Sequence, residues 1–222
     1  MDTGTSILTD ANRRNVPVWG ICGGSGAGKT YLVNQVLEKF DGAVAVVSFD
    51  SYYHDHSHLT PDQRSQVNWD HPDSLDDQLF VEHLRILQSG GTVEVPTYDF
   101  STHTRAPVTN TAGPADLIIV EGILLFTIKE VRELVDMSVY LDVPPDVRRD
   151  RRIARDTVER GRDIADVERQ WSQFVEPMHE QFVEPFATQA DIYAPFGHNR
   201  EALLEKLLLT YATSSAQPVS AS

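Results

Sequence analysis

Residues 23–30 of this 222-residue chain, GGSGAGKT, have the types and spacing that could hold phosphate groups. They fit the pattern G-x-x-x-x-G-K-[ST] at every fixed position. Glycines let backbone N–H groups turn inward around phosphate oxygens, where a side chain would block the approach. Lys29 can add a mobile positive charge and the Thr30 hydroxyl can ligate Mg²⁺. The segment therefore predicts a nucleoside triphosphate site made of Gly23, Gly24, Ser25, Gly26, Ala27, Gly28, Lys29 and Thr30.

Two acidic residues each follow an apolar, β-branched run. Asp50 ends the run 43–49, and Glu121 ends the run 116–120. Residues at the carboxyl ends of parallel strands line the ligand crevice of open α/β sheets, so we expect both near the phosphate loop. Asp50 suits a general base that takes a proton from a substrate hydroxyl. Glu121 suits the strand that meets Mg²⁺, and the predicted metal set is Thr30, Glu121 and Asp50. The alternative for Asp50 is a cap on the next turn.

Seven of the 19 basic residues fall within fifteen positions: Arg148, Arg149, Arg151, Arg152, Arg155, Arg160 and Arg162. Such a concentration in an acidic chain indicates one specific anionic ligand. The alternative is a solvated helix face with salt bridges to Asp150, Asp156 and Glu159. An arginine-rich segment after a late strand suits a lid that neutralises charge on a transferring phosphoryl group, which favours Arg155 and Arg160. With Lys29 and Asp50, these two form the predicted catalytic set.

The elements that must position these residues alternate along the chain. We expect strands at 16–22, 43–49, 116–122, 138–142 and 190–194, and helices at 31–37, 74–88, 128–135, 145–161, from 164, and 199–211. Segment 92–110 reads as an antiparallel hairpin. The prediction is an α/β three-layer sandwich of the P-loop type, with a five-stranded parallel sheet, the hairpin insertion and an arginine-rich helical lid at 145–163. One domain spans 16–212, and 1–15 and 213–222 are predicted disordered tails.

Two groups of ring side chains leave alternatives open. His54, His56 and His58 alternate in the polar stretch 51–70, where a metal site is conceivable but no cysteine or acidic ligand set at zinc spacing accompanies them; we expect a solvated loop. Tyr98, Phe100 and His103 lie on the hairpin, where aromatics are most often half-buried packing.

Composition limits the class of partner. The net charge of −14 argues against general binding to nucleic acid or anionic membranes. No apolar run approaches the ~20 residues of a membrane span, and the first fifteen residues lack a signal-peptide core. A single cysteine, Cys22, fits a reducing compartment, so we expect a cytoplasmic protein.

A phosphate loop alone is compatible with a small-molecule kinase, a switch GTPase or a motor-like ATPase. GTPases identify guanine with Asn-Lys-x-Asp, and none of the four lysines stands in such a string. The strand-end Asp50 and the arginine segment favour a kinase.

The strings GGSGAGKT, SFDSYY, NWDHPDS, PTYDFSTHTR, IIVEGILLF, RRIARDTVERGRD and FVEP resemble those of the uridine kinase (uridine-cytidine kinase) family from about Val18 to Asn199. The resemblance implies transfer of the γ-phosphoryl group of ATP or GTP, with Mg²⁺, to the 5′-hydroxyl of uridine or cytidine. Asp50 would be the base, Lys29 and the loop amides would hold the triphosphate, and Thr30 and Glu121 would serve Mg²⁺.

The resemblance also implies an acceptor pocket. Asp70 and Arg152 would hold the ribose 2′- and 3′-hydroxyls, and a deoxy-sugar would leave both unpaired at a cost of about 1–3 kcal/mol per group. Tyr98 and His103 would read the pyrimidine edge. The remaining implied contacts are stacking by Trp69 and Phe100, completion of the pocket by Arg162 and Gln170, and lid charges from Arg155 and Arg160.

The sequence departs from the family in the segment 194–198, APFGH, which replaces a common Pro-Arg-Gly and is one residue shorter. Since that segment lies near the donor base, the choice between ATP and GTP stays open. A homotetramer and feedback inhibition by CTP or UTP are implied by the family alone. The rival predictions are a sister kinase such as phosphoribulokinase and a nucleotide-binding regulator without catalysis.

Overall fold

Five parallel strands in the order β2-β5-β1-β6-β7 form the central sheet of the computed structural model, which describes residues 15–215. The seven strands are β1 Val18–Cys22, β2 Val44–Ser48, β3 Val93–Asp99, β4 Thr104–Ala112, β5 Leu117–Gly122, β6 Met137–Asp142 and β7 Ile192–Pro195. The α-helices are α1 Lys29–Lys39, α2 Pro61–Arg64, α3 Asp77–Gln88, α4 Lys129–Leu134, α5 Pro145–Glu159, α6 Ile164–Gln170, α7 Glu176–Met178 and α8 Arg200–Ser215. The predicted five-stranded parallel sheet is confirmed.

Two hydrophobic layers cover the sheet, one on each face. On one face, Val36 of α1 and Leu207 of α8 are fully buried against Ile119 of β5. On the other face, Phe80 of α3 packs with Val120 of the same strand. Because β5 contributes side chains to both layers, its run of apolar residues has no polar alternation, as expected for a strand buried on both sides. This is the predicted three-layer sandwich.

The strand register brings the carboxyl ends of three strands together. Glu121 of β5 is paired with Ile21 of β1 on one side and with Ser48 of β2 on the other. β1 leads into the phosphate loop, and β2 leads directly into the segment that carries Asp50. The sheet therefore delivers the loop, Glu121 and Asp50 to one edge.

The hairpin forms as predicted and is a separate two-stranded antiparallel sheet of β3 and β4. Its register shifts between Pro96 and Thr97, which fits a proline that cannot donate to the ladder. Val93, Val95 and Tyr98 of β3 point into the core, whereas most of β4 is exposed.

The predicted irregular stretch 51–70 is more ordered than expected. β2 spans Val44–Ser48, so the predicted strand 43–49 is one residue too long at each end, and a 3₁₀ turn over Phe49–Tyr52 holds Asp50. The short helix α2 follows, with a capping box in which Thr60 and Gln63 bond reciprocally. A second 3₁₀ turn spans Pro72–Ser74, and α3 begins only at Asp77, after the Asp76 cap.

The C-terminal third also differs in detail from the prediction. The helical stretch that follows α6 contains two π-helical turns, Trp171–Val175 and His179–Val183. α8 continues to Ser215, three residues into the segment 213–222 that was predicted to be a disordered tail. The other tail residues, 1–14 and 216–222, lie outside the described part of the chain. No helix within residues 15–215 is long and apolar enough to cross a bilayer.

Candidate active site

The phosphate loop connects β1 to α1. Gly26 and Gly28 have φ angles of 82° and 96°, a region that side chains disfavour, so glycine is required for the path of the backbone. The Ala27 N–H donates to the Gly24 carbonyl at 3.0 Å, which closes a turn. Lys29 Nζ lies back across the loop and donates to the Gly23 and Gly24 carbonyls at 2.9 and 3.3 Å. The amide groups at the start of α1 and the lysine therefore converge on one concave surface.

Arg148, the first arginine of the sequence cluster, lies beneath this loop and not in the crevice. It is 2% exposed, donates from Nε to the Val143 carbonyl at 2.9 Å and pairs with Glu176 at 3.0 Å. A Cβ atom at Gly24 would lie 2.5 Å from Arg148 Nη1, and one at Gly26 would clash with the Arg148 carbonyl oxygen. Arg148 therefore supports the loop from behind, so the cluster does not act as one anion site.

A cavity of about 430 Å³ opens beside the loop, on the β2–β5 side of β1. Asp50, Glu121, Lys29 and Thr30 line one end of it. All eight predicted acceptor residues line it as well: Asp70, Tyr98, His103, Arg152, Arg162, Gln170, Trp69 and Phe100. The structure thus brings together side chains that are spread over 140 positions of the sequence.

The two strand-end carboxylates have different surroundings. Glu121 is 9% exposed, and burial raises the pKa of its carboxyl, with Lys29 opposing the rise and Asp50 adding to it. Asp50 Oδ1 is buried and has no hydrogen-bond partner among the described residues. A buried carboxylate oxygen without a partner is costly, and because Asp50 lines the cavity its carboxylate is within reach of a substrate hydroxyl or a cation bound there.

The predicted magnesium residues fit a divalent ion of that kind. Mg²⁺ is usually held by one or two carboxylates together with substrate phosphates, and here the carboxylates of Asp50 and Glu121 face the cavity with the exposed Thr30 hydroxyl at the helix start. Within residues 15–215 no group of three or more His, Cys, Asp or Glu forms a complete protein cage for a metal.

One wall of the cavity is aromatic. The rings of Trp69 and His103 stack with centroids 5.0 Å apart and planes 8° apart, and Tyr53 packs edge-on against Trp69. Trp69 Nε1 and the Tyr98 hydroxyl are buried and have no hydrogen-bond partner among the described residues. Polar atoms on an apolar wall are what a flat, hydrogen-bonding ligand needs.

His103 is neutral in this wall. Burial, together with the nearby Arg162, Arg160 and Arg152, lowers its pKa to about 4. Its φ of 56° is unusual for a residue with a side chain and follows the turn after Asp99. A neutral imidazole offers one donor and one acceptor, so it can read a ligand edge without adding charge.

Asp70 and Arg152 form the polar floor. Arg152 Nη1 lies 4.0 Å from Asp70 Oδ1 and donates to Ser25 Oγ at 3.1 Å. Burial raises the pKa of Asp70, Arg152 opposes this, and Asp50 adds to it. The pair is buried with loose geometry, which leaves donor and acceptor positions available for neighbouring hydroxyl groups.

Four arginines converge on Asp156, a residue that sequence reasoning considered only as a surface ion-pair partner. Asp156 is fully buried on α5 and pairs with Arg155 at 2.7 Å, Arg160 at 3.1 Å, Arg162 at 3.2 Å and Arg152 at 3.6 Å. Burial alone would raise its pKa, but these arginines hold it below the ordinary value. Asp156 thus positions the lid arginines. The i, i+4 spacing of Asp156 to Arg152 and to Arg160 was the signal in the sequence from which this role could have been predicted.

Phe100 at the hairpin tip contacts the same group. The guanidinium carbon of Arg160 lies 4.2 Å from the centre of the Phe100 ring. Phe100 also packs edge-to-face with Tyr98 at 5.2 Å. The hairpin and the lid therefore meet across the cavity.

A second cavity, of about 800 Å³, lies on the β6–β7 side of the loop, between α1 and the β7–α8 connection. It shares Gly26, Gly28 and Arg151 with the first cavity. Two half-exposed rings line it, each beneath an arginine: Tyr31 under Arg200 at 4.8 Å, and Phe196 under Arg151 at 5.9 Å. Sequence reasoning did not identify these rings, because Tyr31 lies in the first helix and Phe196 in the segment that departs from the family.

The alternating histidines lie behind Trp69, outside the lining of the first cavity. His56 packs edge-on against Trp69 at 5.1 Å and lies 5.7 Å from the ring of His58, while His54 is exposed. Burial and the neighbouring histidines lower the pKa of His56. His54 and His58 are exposed, as predicted for a solvated loop, whereas His56 is half-buried against Trp69.

A three-layer sandwich with a parallel sheet, a phosphate loop and two cavities that meet at that loop define a P-loop kinase of small molecules. The family model described as "Phosphoribulokinase / Uridine kinase family" matches residues 18–202. The chain belongs to that family.

A curated relative supports this family membership, and two solved structures share the fold. The chain is 44% identical over 187 residues to the uridine kinase of Staphylococcus aureus (strain JH9), covering 84% of this chain and 90% of the relative. D-glycerate 3-kinase from Cryptococcus neoformans has the same fold with a TM-score of 0.55, 17% identity and coverage of 77% of this chain and 79% of that chain. Phosphoribulokinase from Rhodobacter spheroides matches with a TM-score of 0.52, 13% identity and coverage of 77% and 69%.

Proposed function

We propose that this protein is a pyrimidine ribonucleoside kinase, which transfers the γ-phosphoryl group of ATP or GTP to the 5′-hydroxyl of uridine or cytidine. The observation that carries the proposal is the first cavity, in which a neutral His103 stacked on Trp69 faces the buried Asp70–Arg152 pair beside the phosphate loop. A flat base and a ribose match that combination. The similarity to the curated S. aureus uridine kinase supports the same activity.

In this proposal the acceptor lies with its base at the aromatic wall and its ribose at the floor. Asp70 accepts from the vicinal hydroxyls and Arg152 donates to them, which selects ribose over deoxyribose. The Tyr98 hydroxyl and His103 read the edge of the base, and Arg162 and Gln170 complete the pocket.

Transfer then needs little covalent chemistry from the protein. Asp50 takes the proton of the 5′-hydroxyl as its oxygen attacks the terminal phosphorus of the donor, whose bond to the leaving oxygen breaks. Lys29 and the loop amides hold the phosphates, and Arg155 and Arg160 neutralise charge on the moving group. Mg²⁺, held by Thr30, Glu121 and Asp50, would supply charge neutralisation across the donor phosphates.

The second cavity takes the base of the phosphoryl donor. Its half-exposed Tyr31 and Phe196 rings provide stacking surfaces, and Gln35, His198 and Glu201 supply polar groups around them. Stacking does not distinguish purines, so this arrangement is compatible with both ATP and GTP.

The proposal is tested by ADP release with ATP and Mg²⁺, comparing uridine, cytidine, deoxycytidine, adenosine and ribulose 5-phosphate. Turnover with uridine and cytidine and little with the others is the expected result. Turnover with ribulose 5-phosphate alone would keep the fold and overturn the acceptor pocket. No turnover with any of the five would favour a nucleotide-binding regulator.

Two further expectations follow from family membership and remain predictions. The homotetramer is checked by light scattering of the purified full chain, and feedback inhibition by CTP or UTP by adding each to the same assay. Cytoplasmic location likewise remains a prediction.

A further inference from the structure

The contact between Phe100 and Arg160 joins two elements that are 60 residues apart in sequence. Phe100 follows β3 at the tip of the hairpin, and Arg160 follows α5 at the start of the connection to α6. The guanidinium carbon lies 4.2 Å from the ring centre, which is well within the range of a cation–π interaction. The side chain of Arg160 is 21% exposed, so much of its hydration is removed and the contact is stronger than at an open surface.

Arg160 is held from two sides by groups of different kinds. Asp156 Oδ1 lies 3.1 Å from Arg160 Nη1, and the Phe100 ring covers a face of the guanidinium. A second carboxylate in place of the ring would fix the arginine equally well but would cancel the charge that phosphoryl transfer requires. An aromatic face orients the cation and leaves its charge available.

The arginine needs such support because it is surrounded by positive charge. Burial and Arg155 lower the pKa of Arg160, Asp156 opposes this, and Arg152 contributes further repulsion. Repulsion of this kind favours conformations in which the side chain turns away from the cavity.

The ring itself is fixed by the aromatic wall. Phe100 packs edge-to-face with Tyr98 at 5.2 Å and with Tyr53 at 6.4 Å. Both tyrosines line the acceptor cavity. The chain of contacts therefore runs from the acceptor base, through the wall, to the lid charge.

We propose that Phe100 is a positioning residue for Arg160. The Phe100 ring holds this lid arginine over the reacting phosphoryl group and couples the placement of the arginine to the acceptor hairpin. This role differs from stacking on the base, which the family resemblance implies for Phe100. The inference rests on the proposed function, because it assigns Arg160 to the transferring group.

The kinetic test compares Phe100→Leu, which keeps an apolar side chain, with Phe100→Trp, which keeps an aromatic face. With ATP and uridine saturating, we expect kcat of Phe100→Leu to fall roughly 5- to 30-fold, the range of a partly desolvated cation–π contact, with less than a threefold change in the KM for uridine. Phe100→Trp should recover most of kcat. A raised KM for uridine with unchanged kcat would assign Phe100 to base stacking and overturn the inference.

A double-mutant cycle separates action through Arg160 from a general effect on the hairpin. In an Arg160→Ala background, Phe100→Leu should leave kcat unchanged, because the arginine that it positions is absent. Full additivity of the two losses would overturn the inference. Val108→Ala, at an exposed position on the same hairpin, is the matched control and should keep wild-type kinetics.

A readout without catalysis distinguishes failure of this inference from failure of the proposed function. Tryptic cleavage of the folded full chain at the Arg160–Gly161 bond, followed by mass spectrometry, should be several-fold faster in Phe100→Leu than in the wild type and in Phe100→Trp. Equal cleavage in all three would overturn the contact. Faster cleavage in an enzyme that does not phosphorylate uridine would keep the contact and reject only the assigned substrate.

Discussion

Asp50 illustrates how a single unsatisfied atom identifies a chemical role. Its residue lines the first cavity, and its Oδ1 is buried and has no hydrogen-bond partner among the described residues. Structural carboxylates in folded proteins are almost always paired, so an oxygen left without a partner indicates a ligand group that is meant to fill the position.

Asp50→Asn tests that role. The amide is nearly the same size but cannot take up a proton, so we expect kcat to fall at least ~10²-fold while uridine binding is kept. The measurements are steady-state kinetics and calorimetric titration with uridine. Asp62→Asn, at an exposed position on α2, is the matched control. Near-wild-type turnover of Asp50→Asn would contradict the assignment.

His103 gives a second residue-scale prediction, which concerns recognition. His103→Ala should reduce the preference for uridine over adenosine in kcat/KM by about tenfold or more, because a buried hydrogen-bond partner of the base is lost, and should leave the KM for ATP unchanged. Since the pKa of His103 is about 4, the wild-type KM for uridine should not follow a histidine titration between pH 6 and 8. An equal loss for ATP and uridine would argue against base reading.

The helix α5 shows how one element can organise several catalytic charges. Its Asp156 lies one turn from Arg152 and one turn from Arg160, so the i, i+4 spacing brings both to the same carboxylate. Gly161, with a φ of 63°, then reverses the chain, and Arg162 returns to the same carboxylate. The spacing along the helix could be predicted from the sequence. The position of Arg162 could not be predicted, because it depends on the turn at Gly161.

Asp156→Asn should affect both stability and catalysis. The change removes a buried charge from among four arginines, and uncompensated buried charges cost about 3–5 kcal/mol; the partial exposure of the arginines favours the lower end of that range. We expect a lower free energy of unfolding in urea and a kcat reduced at least tenfold. Asp150→Asn, on the exposed face of the same helix, should change neither quantity.

The sheet and the loop were predictable from the sequence for definite physical reasons. Strands buried on both faces have continuous apolar runs, and the phosphate loop admits few residue types. The 3₁₀ turn that holds Asp50 was not predicted, although the α2 capping box, Thr60 to Gln63, was a readable signal that sequence reasoning overlooked. Both π-helical turns end in Phe-Val directly before a Glu-Pro pair, at Pro177 and Pro185, and a proline within a helix disrupts the i→i−4 bonding of the preceding turn, so this pattern too was a signal that sequence reasoning overlooked.

In the site, the family resemblance identified the residues of the acceptor cavity, but the partners of those residues did not follow from the sequence. Arg148 belongs to the same run as Arg152 and Arg160, yet it lies beneath Gly24 and Gly26. One turn of helix decides whether an arginine supports the loop or faces the cavity. Sequence proximity cannot make that distinction until the orientation of α5 relative to the loop is known.

At the scale of the whole molecule, two half-buried histidines, His103 and His179, link stability to pH. Burial lowers the pKa of His179 to about 3, with Arg148 and Lys29 nearby, and that of His103 to about 4. The unfolded chain protonates both near their ordinary value of about 6.5. Their contribution to stability is therefore complete above that pH and is lost progressively as the pH falls toward 4.

We expect the thermal midpoint to fall between pH 7 and pH 5, and to fall less in His179→Gln than in the wild type. The measurement is scanning calorimetry of both proteins at both pH values. Burial raises the pKa values of Asp70 and Glu121, so these carboxyls change stability in the opposite direction. Because they do so in both proteins, their effect cancels when the two are compared. His54→Gln, at an exposed site, should behave as the wild type. Parallel losses in all three would contradict the role of His179.

The two cavities on either side of the phosphate loop have a stereochemical consequence. They meet at Gly26 and Gly28 of the loop and at Arg151 of α5, so the alcohol approaches phosphorus from the side opposite the departing nucleotide. A single in-line displacement of that kind inverts the configuration at phosphorus. With a donor whose terminal thiophosphate is made chiral by oxygen isotopes, we expect inversion of configuration in the nucleoside thiophosphate product, as measured by ³¹P NMR. Retention would require two successive displacements, and hence a phosphorylated form of the enzyme.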